Sequence, residues 1–295
     1  MFEYKNCPPL LCIQDISHVG GTIWDSEVIL SHFLDEFIVL LMGNEINLSL
    51  IEMGCGSGLA GIVGSLIKRR RRNEEEEELI LFDQVVLCDV GEVIHDITLK
   101  NKEFVFSRLF VDEEEKQNDN LELKELDWKR SKEEDEMKEE NNELSSFNVV
   151  LLSDCLYHEE DFEDIFHCIT ILLKKKRGIG IITFEIRNEQ TSNKFYSFFD
   201  LFINYCYNEE GGEGEEERRR FDVFDLSYEE ENENEISNLL FGSNLQNDFI
   251  EKLSENWGEE NEMVENFQEI ISKMYEFGIK GWNQSHVKLI IVFSN

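Results

Sequence analysis

A short glycine-rich segment carries the clearest chemical signal in this sequence. Glycine occupies every second position after Glu52, in the order Glu52-Met53-Gly54-Cys55-Gly56-Ser57-Gly58. Because glycine has no Cβ atom, a ligand can approach such a backbone closely, and the start of a following helix offers free N–H groups. The segment lies between an apolar run and a helical pattern, which predicts a ligand-binding turn from a strand into a helix. A tight turn without a ligand is the alternative.

Three further motifs with candidate ligand-binding side chains follow later apolar runs. A carboxylate at Asp89 suits the two hydroxyl groups of a ribose, and the ring of Trp128 suits an adenine. Asp154 and Tyr157 stand three residues apart in Ser153-Asp154-Cys155-Leu156-Tyr157, so both can face one pocket. Each position also has a purely structural interpretation: a helix cap for the two aspartates, and core packing for the two aromatic rings.

Another apolar run ends with two charged residues, in the sequence Phe184-Glu185-Ile186-Arg187. Residues two apart in a strand point to the same face. Glu185 and Arg187 can therefore pair with each other, or Arg187 can pair with Asp154. A structural ion pair is the simpler interpretation of either arrangement.

Several site classes are disfavoured by what the motifs lack. No lysine follows the glycines as a phosphate-binding P-loop requires, and Leu59 occupies the place of the last glycine of a dinucleotide-binding motif. The seven cysteines are scattered, with no Cys-x-x-Cys pair and no zinc spacing. We therefore expect free thiols, a reducing compartment and no bound metal.

Charge and hydropathy restrict the partners. The formal net charge is −36, and three acid-rich segments (74–78, 112–143 and 209–235) supply −24 of it. An acidic surface repels phosphate backbones, so we expect no nucleic acid, and it suits a basic or lysine-bearing partner. The N-terminus has no signal-peptide pattern, and the apolar runs are too short to span a bilayer. We expect no membrane partner and a cytoplasmic, or also nuclear, location.

Along the chain, strand-like apolar runs alternate with segments that have helical spacing of apolar residues. Such alternation predicts an α/β fold, a Rossmann-like, seven-stranded, mostly parallel sheet with helices on both faces. In such sheets ligands bind beyond the carboxyl ends of the strands, where the motifs fall. The predicted strands are 48–53, 85–89, 121–126, 148–153, 179–184, 222–226 and 286–293, and the clearest helices are 26–41 and 162–173.

Charged, low-complexity stretches interrupt this pattern. We predict loop inserts at 68–80, 112–120, 129–146 and 208–219, because they are rich in charge or glycine and poor in large apolar residues. Residues 236–285 are predicted to form a helical insert before the last strand. The whole chain, 1–295, is predicted to be one domain.

The order of the motifs resembles that of class I S-adenosylmethionine-dependent methyltransferases. It is most similar to the seven-β-strand protein-lysine methyltransferases with an Asp-x-x-Tyr motif, the methyltransferase-like 21 group. Four passages carry the likeness: 20–35, 51–62, 123–128 and 147–165. The resemblance implies S-adenosylmethionine as cofactor. It implies cofactor-binding roles for Trp24, Glu52, Gly54, Cys55, Gly56, Asp89, Trp128 and Ser153, and catalytic roles for Asp154 and Tyr157.

The same resemblance implies methylation of a lysine side chain on a partner protein. Within the group, the passages WDSEVILSHFL, SDCLYHEE and FEIR look most like the enzymes that methylate valosin-containing protein, an AAA ATPase. The expected substrate is thus an AAA ATPase, a chaperone or an elongation factor, and the expected enzyme is a monomer. The alternatives are a non-enzymatic methyltransferase-like binding protein and a small-molecule methyltransferase. A nicotinamide enzyme is disfavoured by Leu59 and by the Asp-x-x-Tyr segment.

Overall fold

The computed structural model describes residues 2–42, 45–70, 78–110, 120–130, 146–174, 177–207, 221–225 and 287–294. The chain divides into two compact units. The first comprises Met1–Asp127 with Leu151–Ser153, and the second comprises Trp128–Val150 with Asp154–Asn295. The predicted insert 236–285 and nearly all of 112–120, 129–146 and 208–219 lie outside the described residues.

The first unit is built on parallel strands. Its strands are β1 (Leu48–Met53), β4 (Phe82–Asp89) and β5 (Leu121–Glu125), with a short antiparallel pair, β2 (Lys68–Arg70) and β3 (Glu78–Ile80). β4 pairs in parallel with both β1 and β5, so the carboxyl ends of these strands share one edge. The amide of Cys55 donates to the carbonyl of Cys88 (3.0 Å), which fixes the start of the glycine-rich segment beside the end of β4.

The helices of the first unit include the predicted helix 26–41, which spans Asp25–Met42, and one irregular segment. They are α1 (Asp25–Met42), α2 (Leu59–Leu66), a single turn α3 (Gly91–Val93), a π-helix (Ile94–Thr98) and α4 (Leu99–Leu109). Every residue of α2 is buried, although its sequence includes two glycines and a serine. A helix that is buried all round needs small residues where it meets neighbouring elements.

The second unit contains the remaining strands and helices. β6 (Val149–Ser153) contributes residues to both units and is followed by α5 (Phe162–Leu172), β7 (Gly178–Glu185), α6 (Glu189–Tyr207), β8 (Phe221–Asp225) and β9 (Val287–Ser294). β9 runs antiparallel to both β7 and β8. Each of the seven predicted apolar runs forms a strand, which confirms an α/β, Rossmann-like fold with a mostly parallel sheet.

An aromatic face of α6 packs the second unit. Phe195, Phe198 and Phe202 recur at helical spacing and are fully buried. The ring of Phe198 meets that of Phe162 on α5 edge to face, with centroids 5.5 Å apart, and Phe195 stacks on Phe184 of β7 at 5.9 Å. These contacts fix α6, and with it the segment between β7 and α6, against the strand.

The structure gives the state of the described cysteines and the lengths of the described helices. Six cysteines are free thiols (Cys7, Cys12, Cys55, Cys88, Cys155 and Cys168), as the sequence predicted, while the side chain of Cys206 is outside the described part. Among the described helices, none is both long and apolar enough to cross a membrane.

Candidate active site

Residues 54–58, the glycine loop, adopt a conformation that requires glycine. Gly54, Gly56 and Gly58 all have positive φ, at 60°, 51° and 78°. A Cβ atom on Gly56 would lie 2.8 Å from the carbonyl oxygen of Gly20, so the N-terminal segment passes directly against the loop. Any side chain at position 56 would be strained both by its φ and by this contact.

Three carboxyl groups hold the glycine loop and the helix that follows it. Asp89 Oδ2 accepts the amide of Gly56 (2.9 Å), and Glu52 Oε2 accepts that of Gly61 (2.7 Å). Glu27 Oε1 accepts both the amide of Leu59 (2.8 Å) and the hydroxyl of Ser57 (2.7 Å). The donors that would bind a pyrophosphate are thus already engaged by acids of the protein, which disfavours a dinucleotide.

Burial makes these acids hard to ionise. It raises the pKa of Glu52 well above its ordinary value, with the nearby Glu27 adding to the effect, and raises the pKa of Glu27 itself to about 7. Burial also raises the pKa of Asp89, against the lowering effect of the amides of Gly56 and Val90. Among the described atoms, Glu52 Oε1 is buried without a hydrogen-bond partner. It is a buried polar atom that a hydrogen-bonding group of a ligand could satisfy.

Replacement of Glu27 by glutamine is expected to flatten the pH dependence of stability. Since the pKa of Glu27 is raised from 4.5 to about 7 on folding, the folded state keeps a proton that the unfolded state has released, and the free energy of unfolding falls across that pH range. The amide oxygen of Glu27→Gln can accept the same two hydrogen bonds without ionising. Above about pH 7 the variant should be more stable by roughly 1–3 kcal/mol.

Urea unfolding at about pH 5.5 and about pH 8 tests this expectation. Glu36→Gln, on the same helix α1 but less buried, removes the same charge and serves as the control. Parallel pH profiles for the wild type and Glu27→Gln would contradict the assignment.

Two residues that sequence reasoning missed hold the other side of the glycine loop. The Thr98 hydroxyl donates to the carbonyl of Gly56 (2.7 Å), and the Asn101 amide group donates to that of Ser57 (2.9 Å). Asn101 also exchanges hydrogen bonds with the backbone of Ile13, which ties the N-terminal segment to the loop. Both side chains are fully buried, three residues apart, where the π-helix passes into α4. Glu27 was missed as well, and a polar residue on an otherwise buried helix face was the available signal in each case.

The other predicted cofactor-binding residues of the first unit differ in their exposure and in their hydrogen bonds. Trp24 stands just before α1, is 36% exposed, and its indole N–H donates to the carbonyl of Val19 (3.4 Å). The Ser153 hydroxyl donates to that of Ser26 (3.3 Å). Cys55 has a buried side chain with Sγ 3.7 Å from Thr98 Oγ1, so this residue can meet a cofactor through its backbone and not through its thiol.

In the second unit, Asp154 is the centre of a charged network with Glu185 and Arg187, here named the Asp154 network. Asp154 has a φ of 53°, and its amide donates to the carbonyl of Thr183 (2.9 Å). Its carboxylate accepts the amide of Glu185 (3.3 Å) and is paired with Arg187, whose Nη2 also lies 2.7 Å from Glu185 Oε2. Both pairings that the sequence left open are therefore present. Burial raises the pKa of Asp154, and Arg187 opposes that rise.

The two predicted aromatic residues of this unit lie in short irregular segments. Tyr157 is 45% exposed, its ring meets that of His158 edge to face, and its carbonyl accepts a hydrogen bond from Lys194 (2.7 Å). Trp128 begins a 3-10 turn and is half-buried, and the next residue, Lys129, pairs with the buried Asp161 (3.0 Å). Asp154 and Tyr157 are thus fixed by different contacts, Arg187 for the first and α6 for the second.

A comparison with models of protein families shows the family to which the chain belongs. A family model described as lysine methyltransferase matches residues 9–201. The chain belongs to this lysine methyltransferase family. The matched span contains every residue predicted to bind the cofactor or to act in catalysis. A search of curated proteins finds no match.

Several solved methyltransferase structures show a distant likeness to this chain. Coclaurine N-methyltransferase bound to N-methylheliamine and S-adenosylhomocysteine is 14% identical, with 98% of this chain and 74% of that chain covered and a TM-score of 0.37. Geranyl diphosphate methyltransferase is 10% identical (96% and 85% covered, TM-score 0.39). A TehB-like methyltransferase of Corynebacterium glutamicum is also 10% identical (62% and 76% covered, TM-score 0.34).

The protein is therefore an S-adenosylmethionine-dependent methyltransferase. Two features of the first unit fit that cofactor. The positive φ angles of the glycine loop turn the chain at the end of β1, and Glu52 Oε1 is a buried polar atom without a hydrogen-bond partner among the described atoms. When bound, S-adenosylmethionine supplies an electrophilic methyl group on a positively charged sulfur. Within the described parts of the chain, no group of three or more histidine, cysteine or acidic residues is arranged to hold a metal ion.

Proposed function

We propose that this enzyme methylates a lysine side chain on a partner protein such as an AAA ATPase, a chaperone or an elongation factor. The observation that carries the proposal is the Asp154 network. It presents a buried carboxylate, fixed by Arg187 and by the Glu185 amide, in the same short segment as an exposed aromatic ring, Tyr157. A carboxylate can orient an amine, and an exposed ring can contact the chain of a large substrate.

The chemical task of the protein is to present a neutral amine. A lysine in water has a pKa of about 10.4 and is charged at neutral pH, and an ammonium group has no lone pair for attack. The amine nitrogen must also lie in line with the methyl group, at about 3–3.5 Å from it. We assign Asp154 to orienting the amine through a hydrogen bond, because its own negative charge favours the ammonium form and makes it a poor base for this purpose.

The remaining predicted residues have supporting roles in this proposal. Tyr157 lies next to the lysine, where its ring face suits a methylated ammonium product. Glu52, the glycine loop and Asp89 hold the cofactor, with Asp89 at the ribose, and Trp24, Trp128 and Ser153 complete its surroundings. The formal charge of −36 supports a basic, lysine-bearing surface on the partner.

A labelled-methyl assay tests this function. The purified enzyme and S-adenosylmethionine with a radiolabelled methyl group are added to a cell lysate, and labelled proteins are digested and the modified residue located by mass spectrometry. We expect label on lysine in one or a few proteins. Label confined to the small-molecule fraction would instead indicate a small-molecule methyltransferase. Binding of S-adenosylhomocysteine in calorimetry without any transfer would indicate a binding protein.

A further inference from the structure

The charge of the Asp154 network has a direct consequence for the amine that Asp154 is proposed to orient. Asp154 and Glu185 carry two negative charges, and both contact the guanidinium group of Arg187. Arg187 Nη1 lies 3.5 Å from Asp154 Oδ1, while Nη2 reaches the second oxygen, so the guanidinium engages both carboxylate oxygens. Such a fork fixes the plane of a carboxylate as well as its position.

An unpaired Asp154 would work against the reaction. A negative charge within about 4–6 Å of an amine favours the ammonium form and raises the amine pKa by about 1–3 units, which removes the nucleophile. A guanidinium group at the same carboxylate lowers the pKa of the amine again, because its positive charge disfavours the ammonium form. The network as a whole keeps a net charge of −1, enough to attract a substrate cation, while Arg187 reduces the field that would hold its proton.

We propose that Arg187 is a positioning residue for methyl transfer, which orients the Asp154 carboxylate and offsets its charge so that the bound ammonium can release its proton to solvent. The neutral amine then forms the N–C bond as the sulfur–methyl bond breaks, and S-adenosylhomocysteine leaves. This inference rests on the proposed function, since it assumes that the nucleophile is a lysine amine beside Asp154. Lysine could not replace Arg187 fully, because an ammonium group is a point charge without the planar fork.

The backbone of Arg187 is held in place independently of its side chain. The amides of Arg187 and Asn188 both donate to the Thr191 hydroxyl (2.9 Å each), and the Asn188 side chain accepts the amide of Thr191 (2.9 Å). This is a reciprocal cap at the start of α6. A change of side chain at position 187 therefore leaves the local fold supported.

The charged groups near this network come from three elements. Asp154 follows β6, Glu185 ends β7, and Lys194 of α6 donates to the carbonyl of Tyr157 rather than to the carboxylates. Arg187 is thus the cation that contacts Asp154 among the described contacts. Loss of its charge should raise the pKa of the bound amine, and a restored cation should lower it again.

The pH dependence of kcat tests this role, because kcat reports groups that ionise in the enzyme–substrate complex. Arg187→Gln is expected to move the rising limb of the profile upward by about one pH unit. Turnover near pH 7.5 should then fall about tenfold or more, and it should recover at higher pH only to the lowered plateau that loss of the fork leaves. Arg187→Lys should keep the rising limb near its wild-type pH, but with a lower plateau of kcat. Glu185→Gln should shift the limb to lower pH.

The control variant is Lys100→Gln. It removes an exposed cation that pairs only loosely with Asp96 (3.8 Å), and it should leave the pH profile of kcat unchanged.

Several results would overturn the proposal. A uniform loss of turnover at every pH in Arg187→Gln would show a structural role, and so would a limb that stays in place in both Arg187→Gln and Glu185→Gln. If Arg187→Gln is too unstable to assay, the opposite shift in Glu185→Gln still decides. A wild-type enzyme that methylates no lysine would refute the proposed function itself, a failure visible before any variant is made.

Discussion

Replacement of Asp154 by asparagine is expected to reduce methyl transfer about a hundredfold or more while cofactor binding is kept. The amide cannot hold the amine as a carboxylate does, and small errors in placing a nucleophile cost about this much in rate. Asparagine is the informative choice because position 154 has a φ of 53°, a left-handed conformation that asparagine tolerates and alanine resists. The change therefore tests the charge with little disturbance of the backbone.

Two measurements separate the role of Asp154 from simple structural damage. Single-turnover rates should fall, whereas the dissociation constant for S-adenosylhomocysteine should stay within about threefold of the wild type, a free-energy change under about 1 kcal/mol. Asp200→Asn, an exposed position on α6 in the same unit, makes the same chemical change and should leave both quantities unaltered. Unchanged turnover in Asp154→Asn would refute the assigned role. Equal losses of turnover and of S-adenosylhomocysteine binding would show that Asp154 mainly supports the structure of the segment after β6.

The second large effect is expected from Gly61→Ala in the first turns of α2. A Cβ atom at this position would overlap Cδ2 of Leu87 and lie 2.8 Å from Glu52 Oε2, the oxygen that accepts the Gly61 amide. Both neighbours are buried, so they cannot move aside freely. We expect a net loss of about 1–3 kcal/mol in the free energy of unfolding, despite the better helix propensity of alanine. Because Glu52 is displaced, binding of S-adenosylhomocysteine should weaken as well.

Gly64→Ala provides a matched control on the same helix. The Cβ atom there would lie 3.1 Å from Cδ1 of Leu50, a contact that a small shift of one methyl group relieves. The gain in helix propensity, about 1 kcal/mol, should then offset most of the crowding. Urea unfolding and calorimetry of both variants test the pair. Equal destabilisation of Gly61→Ala and Gly64→Ala would show that the contact with Glu52 and Leu87 is unimportant.

Much of the fold was predictable because its signals are local. The run 48–53 became β1 with the predicted bounds, and 162–173 became α5 with one residue fewer. Apolar runs between turn residues and helical spacing of apolar residues depend only on neighbouring positions in the chain. The order of the motifs along the alternating strands and helices was sufficient to indicate a methyltransferase family. The comparison with family models shows such a family.

The roles of the individual site residues remain predictions, and their geometry came from contacts between distant positions. Glu27, Thr98 and Asn101 hold the glycine loop from elements 30 to 44 residues away in sequence. No spacing rule reveals such a residue, because a polar side chain on a buried helix face has the same local pattern whether it binds a loop or fills a gap.

The type of fold, the glycine loop and the candidate acids were predictable from residue types at short range in the chain. The folded chain was needed to show which acids accept which amides, and that Arg187 pairs with both Asp154 and Glu185. The physical reason is that hydrogen bonds and ion pairs are set by distances of a few ångströms in space. Positions that meet at such distances are brought together by the packing of whole helices and strands.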